Sequence, residues 1–291
     1  MNQFLDPKND YAFKRLFGVE NHKRILIRFL NDMFEGAHPH IEDVEYLKTA
    51  QDPEIAVLRS SIIDVLCKDI TGRQWIIEMQ YAYDTHFLNR AQAYACRVYL
   101  NQRKKPETGD KKATDYGDMK PVIFLAILDK TLFPNKPDYL SHHKQLDIKT
   151  FECDIEGLSF SFLELEKLNK ERRKLGNMIE KWIHFLKHAE FTKPNELEEI
   201  RKDTPIIGEA YDALSRYAFT PEELLEYEKY DMARDAEMTR ISDAEAKGEA
   251  KGKAEGRADI ARSMLKDGMD ISVIIKYTGL NEEQIQELGK S

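Results

Sequence analysis

From Asp10 to Phe34 the apolar residues Phe13, Leu16, Phe17, Ile25, Leu26, Phe29, Leu30 and Met33 recur mostly three or four apart. That spacing lays one apolar stripe along a helix, and Gly18 interrupts it, so the pattern predicts two helices here. Asp43 to Thr49, Ser60 to Ile70 and Arg73 to Tyr83 alternate or run apolar and are rich in Val, Ile, Trp and Tyr, as strands are. Phe87 to Asn101 returns to helical spacing. Between Arg103 and Lys120 almost nothing is apolar and turn formers abound, which marks an inserted surface loop. The run VIFLAIL inside Pro121 to Leu128 is continuously apolar and predicts a strand covered on both faces, at the centre of a sheet. Gln145 to Asp154 and Leu158 to Leu165 are expected to add two strands around a turn at Gly157, and from Lys170 onward the chain reads as helical. Helices interleaved with strands in this order make the fold class α/β.

Past Pro221 the pattern changes. One helical stretch from Glu222 to Leu265 has few large apolar residues and many alternating charges, and its middle, GEAKGKAEG, sets Gly248, Gly252 and Gly256 four apart. Glycine in an exposed helix costs about 1 kcal/mol relative to alanine, so an isolated helix here is weak. Either the segment is a loose, solvated linker, or a second helix approaches its small-residue face. Ile271 to Leu288 then forms a compact unit of two short helices around a break at Thr278-Gly279, with Ile274, Ile275, Leu280, Ile285 and Leu288 available to pack.

Composition narrows the class. The chain has 291 residues, a prior of about two domains. Its 33% charged residues exceed the usual share of about 25%. Met1 to Asp10 lacks the basic start and apolar run of a secretion signal, and no stretch approaches the ~18 apolar residues of a membrane span, so a cytoplasmic protein with no membrane is expected. Cys67, Cys96 and Cys153 are odd in number and without CxxC spacing, which speaks against a disulfide framework or zinc knuckle. A net charge of −8 argues against a globally basic protein coating nucleic acid, while leaving room for a local basic groove.

The chemistry concentrates in SSIIDVLCKDITGRQWIIEMQ, Ser60 to Gln80. Asp69-Ile70-Thr71-Gly72 has Asp where a type I turn begins and Gly where a three-residue hairpin loop needs a left-handed residue. If Asp69 faces Arg73, residue numbers across the ladder sum to 142, and Asp64 faces Glu78 (64 + 78 = 142). Like charges directly opposite are destabilising unless compensated, and a divalent cation compensates. Gln80 shares the face of Glu78, while Met79 and Tyr81 point the other way. Apolar neighbours on both strands favour a metal site, since unpaired ionised groups are costly there. Hard oxygen ligands suit Mg²⁺ (or Mn²⁺), which can polarise a phosphodiester. The bland alternative is that Asp64 and Glu78 are solvated hairpin positions, each paired with a nearby Arg or Lys.

The start DYAFKRLFG, the core D-V-x-x-x-D-x-x-G-R-Q-x-x-I-E-M-Q from Asp64 to Gln80, the F-x-x-R-x-x-x-Y helix at Phe87, Arg90 and Tyr94, and the ending I-x-x-x-T-G-L-x-x-x-x-I from Ile274 to Ile285 together resemble the Rpn family of recombination-promoting nucleases, also described as transposases, within the PD-(D/E)XK nuclease superfamily. The resemblance implies a restriction-endonuclease-like mixed sheet flanked by helices, with a long helical tail. It divides the chain into a nuclease-like domain at 1–220, a charged Gly/Ala-repeat helical stalk at 221–265 and a helix-turn-helix-like unit at 266–291. It further implies Mg²⁺-dependent endonucleolytic cleavage of DNA in recombination, with Asp64 and Glu78 as catalytic metal ligands, Gln80 as the catalytic residue that positions the water, and Asp10 as a further acid. Gln80 stands where lysine is usual in the superfamily. Lysine brings charge to the attacking water and transition state, whereas glutamine brings a dipole, so a catalytically weak DNA-binding and oligomerising protein is the competing expectation. Arg90 is the candidate substitute cation, with a structural ion pair as its alternative. Lys104 and Lys105, with Lys111 and Lys112, are candidates for the DNA backbone, and the tail for self-association into a homo-oligomer.

Other features carry less. His184 and His188, four apart, lack a third ligand, and His142-His143 sits in a polar turn, so a solvated histidine face is favoured at both places. No GxxxxGK[ST] or GxGxxG element occurs, so no nucleotide cofactor is expected. In the terminal unit the second helix reads NEEQIQEL, and Glu282, Glu283 and Glu287 would repel phosphates. Protein contact or tail capping is therefore favoured there over DNA reading.

Overall fold

The computed structural model describes residues 2–47, 63–82, 84–102 and 116–289. In chain order the helices and strands are α1 (Asp10–Phe17), α2 (Lys23–Met33), β1 (Val44–Tyr46), β2 (Val65–Asp69), β3 (Gln74–Gln80), α3 (Phe87–Asn101), β4 (Val122–Leu128), β5 (Leu140–Gln145), β6 (Ile155–Glu164), α4 (Met178–His188), α5 (Pro194–Asp203), α6 (Pro205–Ala213), α7 (Pro221–Lys266), α8 (Ile271–Thr278) and α9 (Glu282–Leu288). The strands form one mixed sheet in the order β1-β2-β3-β4-β6-β5. β3, β4 and β6 are parallel neighbours, while β1 and β2 on one side and β5 on the other are antiparallel. Every residue of β4 is buried, because helices cover both faces of the sheet where it runs.

Alternation along β3 splits its side chains between two cores. Trp75, Ile77 and Met79 join Phe13, Leu16, Phe17, Phe29 and Trp182 in the larger core, under α1, α2, α4 and α6. Ile76 joins Leu66 and Phe124 in the smaller one, beneath Phe87, Ala91, Ala95 and Val98 of α3. α1 begins where Asn9 caps it, its side chain accepting from Tyr11 N at 2.9 Å. It ends at Gly18, where a Cβ would stand 3.4 Å from the Val65 side chain. The close of α1 is thereby set against the first residue of β2.

One strand lies elsewhere than the sequence pattern places it. Gln145 to Asp154 is not a strand: β5 comes earlier, and residues 146–154 return the chain to β6, with Gly157 inside that strand rather than at its turn. Asp147 makes the return, its side chain accepting from Lys149 N and Thr150 N at 2.8 Å and its backbone N–H donating to Glu152 O at 2.9 Å. An Asp that bonds its own following backbone is a turn signal, and here it outweighs the apolar residues around it.

The chain divides into two compact units, residues 1–230 and 231–291. The second has its own small core of Ala261, Ile274 and Ile285, flanked by Met264, Leu265, Ile271, Leu280 and Leu288. Gly279 closes α8 in the left-handed conformation (φ 71°), and Asn281 caps α9 by accepting from Gln284 N at 2.8 Å. No helix among the described residues is long and apolar enough to cross a membrane.

Candidate active site

The hairpin between β2 and β3 sets the register. Gly72 takes φ 87°, its N–H donates to Asp69 O at 2.9 Å, and the pairs Val65↔Ile77 and Leu66↔Ile76 sum to 142, the register that the turn dictates. Asp64 sits one residue before β2 begins and does not stand flat across from Glu78. Its carboxylate instead accepts the Met79 N–H at 2.9 Å through Oδ2, occupying the place of the next ladder partner beside Glu78. Its other oxygen, Oδ1, lies 3.1 Å from Lys14 Nζ of α1.

The two acids are uneasy there. Burial raises the pKa of Asp64 above the ordinary carboxylate value, against the pull of Lys14 and of the Met79 hydrogen bond. Burial, and then the charge of Asp64, push Glu78 well above its ordinary value. Among the described residues, Glu78 Oε1 is buried with no hydrogen-bond partner. Asp10, the exposed first residue of α1, adds negative field at both acids and positive drive to Lys14. Among the described residues no group of three His, Cys, Asp or Glu is gathered to hold a metal, so Asp10 does not complete a ready-made cage.

Gln80 follows Glu78 on the same face of β3, but its amide is committed at both ends. Its Nε2 donates to Ala82 O at 2.8 Å, and its Oε1 accepts from Arg90 Nη2 at 2.6 Å. Arg90, reaching over from α3, also pairs with Asp84 in the loop between β3 and α3. The residue marked as a substitute cation is therefore engaged by a loop carboxylate and by Gln80. Lys104, Lys105, Lys111 and Lys112 lie outside the described residues, as does the start of the segment Ser60 to Ile70.

Lys14 and Asp84 are in the site without having been singled out in the sequence. Asp10 and Lys14 are four apart, on the flank of the α1 stripe formed by Phe13, Leu16 and Phe17, and an acid–base pair at that spacing beside an apolar stripe is the signal that marks Lys14. The rings of His184 and His188 on α4 lie against each other at a tilt of 52° with centroids 4.7 Å apart, and burial holds the pKa of His184 down at about 4, a neutral packed ring. His142 and His143 lie not in a turn but on β5, whose place is set by pairing with β6, and His142 shares a hydrogen bond with Ser161 at 2.8 Å.

Two family models match the chain. Residues 7–244 match the PD-(D/E)XK nuclease family transposase model, and residues 254–290 match the C-terminal HTH domain of the Rpn/YhgA-like nuclease family. No curated protein and no solved structure matches it. The first model spans most of the chain, which therefore belongs to the PD-(D/E)XK nuclease family transposases, and its mixed sheet flanked by helices is the fold that this membership implies.

Proposed function

We propose that this member of the PD-(D/E)XK nuclease family transposases is a metal-dependent DNA endonuclease acting in recombination, with its reaction centred on Asp64 and Glu78. One observation carries the reading: a carboxylate oxygen of Glu78 buried without a partner among the described residues, beside a second buried acid. Structural carboxylates inside proteins are satisfied, and one that is not points to a ligand. The donor set fits a hard divalent ion such as Mg²⁺ or Mn²⁺: two carboxylates, all-oxygen, too few to enclose it, as suits an ion that keeps several waters. Such an ion, when bound, supplies positive charge to the phosphodiester and to the water that attacks it.

The residues of the chain do the rest. Asp64 is held in place by Met79 N–H, and Glu78 is fixed by the ladder of β3, so two ligand acids are presented without rearrangement. Hydrolysis then adds water across the phosphodiester. Its oxygen bonds to phosphorus, the bond from phosphorus to the leaving sugar oxygen breaks, and that oxygen takes up a proton. The test uses supercoiled plasmid with Mg²⁺, comparing the wild type with Asp64→Ala and Glu78→Ala. Nicking should fall at least 100-fold in both variants and vanish with EDTA, and equal nicking by all three would place the activity elsewhere.

A second reading has one observation in its favour. Gln80 has both ends of its amide occupied, which suits a protein that binds DNA and barely cleaves it. Mn²⁺ titration by calorimetry separates the two, since heat that disappears in Asp64→Ala belongs to a metal-dependent enzyme. Self-association through the tail is a further part of the proposal. Sedimentation of the full chain against one ending at Tyr230 reads it, the shorter chain forming the smaller assembly.

A further inference from the structure

We propose that Lys14 is the catalytic cation of this site: its ammonium, carried on α1, meets the scissile phosphate, the task for which neither Gln80 nor Arg90 is free. The proposal rests on the nuclease reading and deepens it.

Three cationic or polar groups surround the acids, and their engagements differ. Gln80 would have to give up Ala82 O and Arg90 to turn toward a substrate, and its amide carries no net charge. Arg90 is held by Asp84 and Gln80 together, a two-pronged engagement that fixes the plane of a guanidinium. Lys14, among the described residues, is ion-paired with one carboxylate, that of Asp64 at 3.1 Å. A lone ammonium on a four-carbon stem turns through a few ångströms with little loss, whereas the fork of an arginine does not.

Exposure points the same way. The Asp64 side chain is 7% exposed and that of Lys14 is 32% exposed. The lysine is thus the outward member of the pair, standing between the buried acid and the solvent from which DNA arrives. Its base is rigid, because Phe13, Leu16 and Phe17 are fully buried around it and α1 is tied down beyond its end by Tyr46 OH donating to Phe17 O at 2.8 Å. That end of the helix lies against Val65, the neighbour of Asp64, and the Val65 side chain stands 3.4 Å from where a Cβ on Gly18 would be. A rigid root with a mobile charged tip suits a group that stabilises negative charge developing on a phosphoryl oxygen. Lys14 has two successive partners in this scheme. Asp64 holds it while the site is empty, and the phosphate takes it when the acid serves as a metal ligand.

The experiment compares Lys14→Met, Lys14→Gln and Lys14→Arg with the wild type in three measurements on the full chain. These are plasmid nicking with Mg²⁺, duplex binding in Ca²⁺ as a function of salt, and Mn²⁺ affinity by calorimetry. Lys14→Met should nick at least 100-fold more slowly, and the slope of log affinity against log salt should fall by about 0.9, the loss of one phosphate contact. Mn²⁺ affinity should be kept or rise, since a positive charge has left the neighbourhood of a ligand acid. Lys14→Arg should restore the salt slope and part of the rate. Lys14→Met nicking at the wild-type rate, or slower with an unchanged salt slope, would overturn the proposal. So would loss of Mn²⁺ binding in Lys14→Met, which would make Lys14 a prop for Asp64. Lys14→Gln removes the charge but keeps a polar side chain against Asp64, so its nicking and salt slope decide in the same way if Lys14→Met does not fold. A wild type that never nicks overturns the nuclease reading itself, while the salt slope still decides whether Lys14 touches phosphate.

Discussion

The two ends of the β2–β3 hairpin each carry a buried aspartate, and the chain treats them in opposite ways. Asp69, at the turn, is satisfied from every side. It accepts from Thr71 N at 2.9 Å, Thr71 Oγ1 at 2.6 Å, Arg73 N at 3.2 Å, Arg73 Nε at 2.8 Å and Trp75 Nε1 at 3.0 Å. Burial alone would raise its pKa, but the hydrogen bonds from Thr71 and Trp75 and the charge of Arg73 outweigh that and leave it below the ordinary value. Asp64, at the open end, has one backbone donor and one lysine, and its neighbour Glu78 has an oxygen with no partner among the described residues. Both acids are raised where Asp69 is lowered. Five residues of strand, about 17 Å at roughly 3.3 Å per residue, separate a site that stabilises the fold from one that destabilises it. Unsatisfied buried charge persists where it serves something other than folding, and here the two uses of one residue type can be read side by side.

The largest expected effect is at the satisfied end. The Asp69 side chain is 1% exposed, and Asp69→Ala strands the Arg73 guanidinium and the Trp75 N–H beneath the turn. Removing one member of such a buried, hydrogen-bonded set costs about 3–5 kcal/mol, which urea unfolding monitored by the buried tryptophans measures. The sign with pH follows from the lowered pKa. A carboxylate whose folded pKa lies below its unfolded value of about 3.9 contributes fully above that value and loses its contribution as pH falls through the folded one. The gap between wild type and Asp69→Ala should therefore be flat from pH 7 down to about 5 and narrow below about 4. A gap under 1 kcal/mol at pH 7 would break the comparison at its stable end.

How much of this was written legibly in the chain follows the same division. The turn was legible, because Asp69 and Gly72 each supply a local requirement that few other residues meet, and from the turn the register of β2 on β3 follows by arithmetic. The burial of β4 was legible because VIFLAIL has no polar position at all. β5 was not. Its sequence LSHHKQ carries no apolar alternation, since as an edge strand it is only half covered, and its place is set by pairing with β6 rather than by its own composition. Lys14 was not legible as a site residue either. Its helix could be read from spacing, but where that helix docks depends on Gly18 meeting Val65, a contact between residues 47 positions apart that no local pattern encodes. The side chain of Asp64 turning in to accept Met79 N–H belongs to the same class: the register predicts a facing pair, and the end of the strand frees the backbone donor that draws the acid inward.

The smaller effect is at the unsatisfied end and has the opposite sign. Glu78→Gln removes a like charge from beside Asp64 and a buried ionisable oxygen that lacks a partner among the described residues, keeping the shape of the side chain. Without metal the variant should be more stable than the wild type by about 0.5–2 kcal/mol, in the range of stabilising changes made at functional sites. Adding Mg²⁺ should reverse the order. An ion present at 100 times its dissociation constant stabilises the protein that binds it by about 2.7 kcal/mol, and the variant, with one ligand charge gone, gains less. Thermal melts of both proteins in EDTA and in Mg²⁺ supply the four numbers. A crossing of the two orders identifies the strain at Glu78 as the counterpart of ion binding. A variant less stable than the wild type in EDTA would mean that Glu78 is a structural group like Asp69, and the contrast between the two ends of the hairpin would disappear.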